Sequence, residues 1–299
     1  MPYKNILVQS AQRLHVHNNC LEIGGSRIPL EDINAIMLDH PAILVSVDFV
    51  KRCAQNDIAV YTTDDQHIPS AMFLAMPGKS NHLSMLRFQI SASKPLSKRM
   101  WKRIVEQKIH NQSLCLKMLE IDGWTDIELY RRDVLSGDSS HVEAGAAAAY
   151  FRLLYDKGFK RREETFVNAC MNYGYAIVRG MIARSLVLHG LEPSIGIGHY
   201  NKINAFNLAD DLIEPFRGFV DYYINDQILR KQKDERELTP GIKRVLVSIM
   251  NYDVRISGQY SILQNGIDVM VESYCRSLQS GKEELVLPEL CSLQVHKYE

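Results

Sequence analysis

Apolar and polar positions over residues 1–75 alternate in short runs rather than at helical spacing. Residues 6–8, Arg13–His17, Cys20–Ile23, 27–30 and 35–38 read as strands, punctuated by Asn18-Asn19 and Gly24-Gly25-Ser26. Such turns between runs of strand length predict consecutive antiparallel hairpins, with Arg13–His17 among the exposed edges. After Pro41 the apolar positions 45, 49, 50 and 53 adopt helical spacing, predicting one helix over 45–55, and residues 58–62 return to strand. Strand signals stop around Pro77-Gly78-Lys79-Ser80-Asn81. Beyond Pro95 nearly every segment has helical period, as at Ile104, Val105, Lys108, Ile109 and Gln112. Further helices are expected over 143–156, 164–189, 203–230 and 240–280, broken at Gly137-Asp138, Gly158 and Gly190-Leu191-Glu192-Pro193. The expected fold class is α+β. A small N-terminal β domain of antiparallel strands with one helix (1–77) is followed by a connecting segment (78–94) and a larger all-α domain (95–299).

Composition changes this picture little. At 299 residues with 46% hydrophobic and 23% charged side chains, the chain has the make-up of an ordinary globular protein of two domains. Its 35 cationic and 35 acidic side chains cancel, so any nucleic-acid site must be a local basic patch. Six cysteines without a CxxC pair suggest neither a zinc knuckle nor a disulfide framework, and a cytoplasmic location is expected. The N-terminus lacks the apolar core of a signal peptide. The most apolar helical stretch, 176–188, is interrupted by Arg179 and Arg184, so no membrane association is expected.

Two places stand out chemically. Glu143 opens a helix rich in Ala and Gly, whose small side chains would let neighbouring helices close in and leave the carboxylate inside a helical core, where it needs a partner such as a cation. Farther on, Gly196-Ile197-Gly198 presents His199 just before a helix on which Asp211 and Glu214, three residues apart, share a face. Carboxylates with one imidazole and no thiolate form a hard site suited to Mg2+ or Mn2+, and hence to phosphodiester chemistry. The same carboxylates could equally be salt-bridged to Arg217 or Lys202 on a solvated helix. His141 and His189 read as caps or surface groups. The Gly-Ile-Gly triplet lacks the third glycine and preceding strand of a dinucleotide fingerprint.

Basic residues concentrate in 94–108, where six cations including Lys98, Arg99, Lys102 and Arg103 face one glutamate and surround Trp101. A second patch holds Lys160, Arg161 and Arg162. Both fit a phosphate backbone, and both could also be solvated surface.

Read in order, Arg87-Phe88-Gln89, Lys108-Ile109-His110-Asn111-Gln112, Gly137-Asp138 leading to Glu143-Ala144, Ala148-Ala149-Tyr150-Phe151, Asn172-Tyr173-Gly174-Tyr175, Gly190-Leu191-Glu192-Pro193 to Gly198-His199, and Leu208-Ala209-Asp210-Asp211-Leu212-Ile213-Glu214-Pro215-Phe216-Arg217 resemble the CRISPR-associated integrases of spacer acquisition, in the form that accompanies single-effector systems. The resemblance covers nearly the whole chain. It implies a catalytic metal site from Glu143, His199 and Glu214 with Asp211 at a neighbouring acidic position, where replacement is expected to be milder. Many relatives carry aspartate where Glu214 stands. It further implies a homodimer formed through the β domains, two such dimers bridged by a dimer of a small ferredoxin-like companion, and double-stranded DNA as incoming duplex and as CRISPR repeat. The single-effector nuclease of the system is a further expected partner. The implied chemistry is attack of a DNA 3′-hydroxyl on a repeat phosphodiester. A structure-selective nuclease would use the same ligands, and a non-catalytic DNA-binding scaffold would need only the basic patches.

Overall fold

The structure, a computed structural model, describes residues 4–65, 69–73, 82–231 and 236–294. The expected domain boundary at residue 77 lies outside them. In chain order the N-terminal part runs β1 (Lys4–Val8), β2 (Arg13–His17), β3 (Cys20–Ile23), β4 (Ser26–Pro29), β5 (Ile33–Leu38), β6 (Leu44–Val45), α1 (Val47–Gln55), β7 (Ala59–Thr63) and β8 (Pro69–Phe73).

The antiparallel expectation holds for β2, β3 and β4 but fails for β1, β5 and β7, which pair in parallel in the order β1-β5-β7-β8, with β8 antiparallel at the end. All six residues of β5 are buried, the condition of a strand covered on both faces, and α1 lies in the crossover to β7. Nor is β2 an edge, since β3 flanks one side and β6 the other. Side chains alternate across the parallel sheet. Ile36, Leu38 and Val60 join Leu14, Leu21, Leu30 and Phe49 in an N-terminal core. Ala35, Met37, Ala59 and Tyr61 belong instead to the core of the helical part. A buried ion pair, Lys243 Nζ to Asp39 Oδ2 at 3.0 Å, ties the two parts together.

The helical part comprises α2 (His82–Ser91), α3 (Lys94–Met118), α4 (Trp124–Tyr130), α5 (Val142–Leu154), α6 (Phe166–Leu188), α7 (Asn207–Leu212), α8 (Glu214–Ile224), α9 (Pro240–Val247), β9 (Asp253–Ile256), β10 (Gln259–Ile262) and α10 (Leu263–Ser280). Part of the expected connecting segment is thus the helix α2, which buries Met85 and Gln89. Gln89 accepts from the Glu192 backbone N–H at 2.8 Å and donates to its carbonyl at 3.1 Å. The single helix expected over 203–230 is divided between α7 and α8 at Ile213, where Pro215 enters the first turn of α8, and it ends in a π turn over Asn225–Leu229. The helix expected over 240–280 is interrupted by the β9–β10 hairpin, so this part is not all-α. Ser257 and Gly258 both take positive φ, +52° and +77°, forming the two-residue turn that joins strands with buried Val254, Ile256 and Ile262.

The longest helix, α3, meets α8 closely. A Cβ on Gly218 would lie 2.7 Å from the Asn111 carbonyl oxygen. Buried Asn111 fastens the junction, donating to the carbonyls of Pro215 (2.7 Å) and Pro288 (2.9 Å) and accepting from the Leu290 N–H (3.0 Å). No helix among the described residues is long and apolar enough to cross a membrane.

Candidate active site

Three elements converge where α3 passes α5 and α8. The first turn of α5 lacks a side-chain cap at His141, which takes a left-handed φ of +54°. Its orphan donors are taken by Asp138 from the preceding turn, which accepts from the backbone N–H of Val142 (2.9 Å) and of Glu143 (3.2 Å). Asp138, rather than the small side chains that follow, sets where Glu143 points. Ala144, Gly145 and Ala148 are exposed while Ala146 is fully buried, so the small-residue run packs on one side only and the Glu143 side chain is left about a quarter exposed.

Glu143 and Glu214 meet on one cation, the ammonium of Lys108, which lies 2.5 Å from Glu143 Oε1 and 2.5 Å from Glu214 Oε2. Arg217 Nε donates to the other oxygen of Glu214 at 2.8 Å. Burial pushes the Glu214 carboxyl up, but Arg217 and Lys108 outweigh it and hold the group at about 2. Lys108 is buried too, which disfavours its charge, yet Glu214 and Glu143 raise it above the ordinary lysine value. The alternative that Glu214 pairs with Arg217 is therefore realised, though inside the protein and shared with Lys108. Lys108 has a signal in the sequence, four residues after Ile104 and four before Gln112 on a stripe that is otherwise core.

His199 stands on the loop between α6 and α7, which Gly190 turns out of the helix at φ +76°. Asp211 on α7, fully buried, organises this loop. Its carboxylate accepts from the backbone N–H groups of Ile197, Gly198 (3.0 Å) and His199 (3.0 Å), and it lies 2.6 Å from His199 Nδ1. That contact selects the Nδ1–H tautomer and leaves Nε2 as the ring nitrogen free to act as a ligand. The Asp211 hydrogen bond raises the His199 pKa against partial burial, with Glu214 and Glu143 adding to it. Trp101 packs edge-on to the His199 ring, centroids 5.6 Å apart, and fills the space a Cβ on Gly198 would need. A groove of about 560 Å³ runs beside them, lined by Lys94, Lys98, Trp101, Gly196, Gly198 and Tyr200.

Among the described residues no three imidazole, carboxylate or thiolate side chains stand close enough together to share an ion. The donor set nevertheless fits a hard divalent cation. Two carboxylates already converge on a cationic group, and the buried Oε2 of Glu214 is paired with the Lys108 ammonium while Oε1 is held by Arg217. The two histidines read as caps or surface groups divide accordingly: His141 is exposed before α5 and makes no capping bond, whereas His189 closes α6 with Nδ1 2.8 Å from the Ser185 carbonyl.

Of the basic residues, Lys98 and Arg99 are exposed on α3, and Lys98 lines the groove beside Trp101. Lys102 lies 3.6 Å from Glu106, and Arg103 3.9 Å from Glu106 and 3.8 Å from Glu283. Lys160 pairs with Glu163 at 2.9 Å. Arg161 donates to Asn168 (3.2 Å) and Asn172 (2.8 Å) and lies over the Tyr175 ring, whereas Arg162 is exposed beside a groove of about 770 Å³.

Comparison with known proteins gives a consistent result. The chain is 33% identical over 305 residues to the CRISPR-associated endonuclease Cas1 of Neisseria meningitidis serogroup C (strain 8013), covering 100% of both chains. Its fold resembles a casposase bound to integration product, with TM-score 0.78 at 21% identity over 94% of this chain and 92% of that one. It also resembles part of a Cas6-RT-Cas1–Cas2 complex, with TM-score 0.70 at 18% identity over 96% of this chain and 36% of that one. The family model described as CRISPR associated protein Cas1 matches residues 4–249, and the chain belongs to that family.

Proposed function

We propose that the chain is a metal-dependent DNA integrase with nuclease capacity that inserts short DNA duplexes into a CRISPR array. The observation that carries this reading is the convergence of Glu143 and Glu214 on one cation position, beside a histidine whose tautomer Asp211 fixes, in a member of the Cas1 family. Glu143, His199 and Glu214 would hold Mg2+ or Mn2+. When bound, the ion would polarise the phosphodiester, ease deprotonation of the attacking hydroxyl and neutralise charge on the leaving oxygen. A DNA 3′-hydroxyl oxygen bonds to phosphorus as the repeat's own P–O bond breaks, so one phosphodiester replaces another and no ATP is consumed. Asp211 acts as a positioning residue, holding His199 and the loop amides rather than the ion. Lys98, which lines the groove, and Arg99, exposed next to it in sequence, would meet the DNA backbone, with Lys102, Arg103, Lys160 and Arg162 extending that contact. Arg161, held by two asparagines, supports the loop that presents its neighbours.

We further assign residues 1–77 to dimerisation, 78–94 to the connection and 95–299 to catalysis, in a protein of the cytoplasm. The partner would be a ferredoxin-like companion dimer joining two dimers. The fold likeness to a casposase bound to integration product and to a Cas6-RT-Cas1–Cas2 complex is consistent with both DNA and a companion. The test is product analysis. Purified protein, companion, a short duplex with free 3′-hydroxyls and an array plasmid are incubated with Mn2+. Covalently joined strands are expected. Nicked, unjoined DNA would favour the nuclease reading, and bound but intact DNA the scaffold.

A further inference from the structure

Lys108 places a positive charge on the pair of carboxylates to which the proposed function assigns a divalent ion, and the geometry leaves room for one of the two. Its ammonium is 2.5 Å from Glu143 Oε1 and 2.5 Å from Glu214 Oε2, with 8% of the lysine side chain and 4% of the Glu214 side chain exposed. A hard divalent ion binds carboxylate oxygens at about 2.1 Å, so an ion bridging these two oxygens would overlap the volume that Nζ fills. Two cations cannot share that space in a buried setting where charges are weakly screened.

The surrounding contacts show which group would yield. Glu214 Oε1 is committed to Arg217 Nε at 2.8 Å, and the guanidinium of Arg217 is further held over the Tyr175 ring at 4.7 Å. Among the ion pairs of Glu214, only that with Lys108 involves Oε2. Lysine ends in a compact ammonium on a flexible four-carbon stem, which can withdraw without moving the helix, whereas a planar guanidinium in a fixed fork cannot do so easily.

We propose that Lys108 is a resident competitor for the metal site: its ammonium and a divalent ion are alternative occupants of the Glu143–Glu214 pair. Two consequences follow from the geometry. Lys108 keeps the two carboxylates aimed at one point, so the ligand set is pre-organised. Metal binding must also break two short ion pairs, so Lys108 sets the affinity lower than the carboxylates alone would allow.

This inference rests on the metal reading of the proposed function, and calorimetric titration of the full-length protein with MnCl2, which needs no catalysis, separates the two. Lys108→Gln removes the charge but keeps a polar group of similar length. It is expected to bind Mn2+ at least tenfold more tightly than wild type, and its melting temperature should rise more on adding Mn2+. Unchanged or weaker Mn2+ binding by Lys108→Gln, in a protein whose Mn2+ binding is lost in Glu143→Gln, overturns the competition and leaves the metal site standing. Mn2+ binding that Glu143→Gln leaves untouched overturns both. A second measurement uses wild type alone. The Lys108 15Nζ resonance, assigned by its loss in Lys108→Gln, should shift on titration with Mg2+ and saturate with the binding isotherm. A resonance that stays in place as Mg2+ saturates the site refutes the proposal.

Discussion

Replacing Asp211 by alanine removes the acceptor on which the whole His199 loop converges. The backbone N–H groups of Ile197, Gly198 and His199 and the ring Nδ1 of His199 all point at this one carboxylate, which is fully buried. A buried donor left without a partner costs roughly 1–3 kcal/mol. Water can reach the amide of exposed His199 but not that of buried Ile197, so the net loss is on the order of 4 kcal/mol. For a chain of 299 residues that corresponds to a fall in Tm of ~6 °C. Function should suffer beyond stability, because an imidazole without its Asp211 partner is free to rotate and change tautomer. Loss of such an outer partner weakens a metal site by about 10–100-fold. Thermal melts followed by strand-transfer assays well below the lowered Tm separate the two effects. An Asp211→Ala protein that melts within about 1 °C of wild type and joins DNA at the wild-type rate would refute the positioning role, since the unpaired donors should cost several kcal/mol.

Other outcomes follow from neighbouring groups. Full burial raises the Asp221 pKa from 3.8 to about 6, against the hydrogen bonds it accepts from Tyr175 (2.5 Å) and Tyr150 (3.0 Å), which lower it. Its contribution to stability is therefore complete below about pH 4 and lost as pH rises through about 6, amounting to about 3 kcal/mol. Urea unfolding across that window should show this fall in wild type and not in Asp221→Asn; equal slopes would contradict the assignment. Gly198→Ala would drive a Cβ into the Trp101 ring, 2.5 Å away, so indole fluorescence should shift and strand transfer fall, and an unchanged spectrum with full activity would argue against the packing. Neutralising both Lys98 and Arg99 should make the salt dependence of duplex binding shallower by about 0.9 per lost phosphate contact, and an unchanged slope would return α3 to solvated surface.

Legibility in the sequence tracked how local each cause is. The strands β2, β3 and β4 announced themselves because Asn18-Asn19 and Gly24-Gly25 set their turns within the same segment. The parallel pairing of β1, β5 and β7 did not, since it joins residues as far apart as Ile6 and Ile36 through crossovers that leave no turn signal. Glu143, His199 and Glu214 could be singled out by residue type and motif. What partners them could not: the core-facing stripe marks Lys108 for burial, but only the closure of α8 on α3 through Gly218 and Asn111 brings it to Glu214. Asp211 and Glu214 look equivalent at three-residue spacing, yet the break at Ile213 lets one face the loop amides and the other face Lys108 and Arg217. Asp138 was visible as a break and as part of a motif but not as a cap, since its bond to the Glu143 amide depends on the left-handed turn at His141.

The central claim is that Glu143, His199 and Glu214 jointly support joining of DNA strands. His199 and Glu143 give the cleanest test, because their side chains are 47% and 26% exposed and their replacement leaves no buried cation stranded, as removal of Glu214 would. The measurement is the yield of joined strand on a denaturing gel, with companion, 3′-hydroxyl duplex, array plasmid and Mn2+, for wild type, His199→Ala and Glu143→Gln matched in melting temperature and duplex affinity. Joined product from wild type and none from either variant is the predicted result; joining at the wild-type rate by either variant would contradict it.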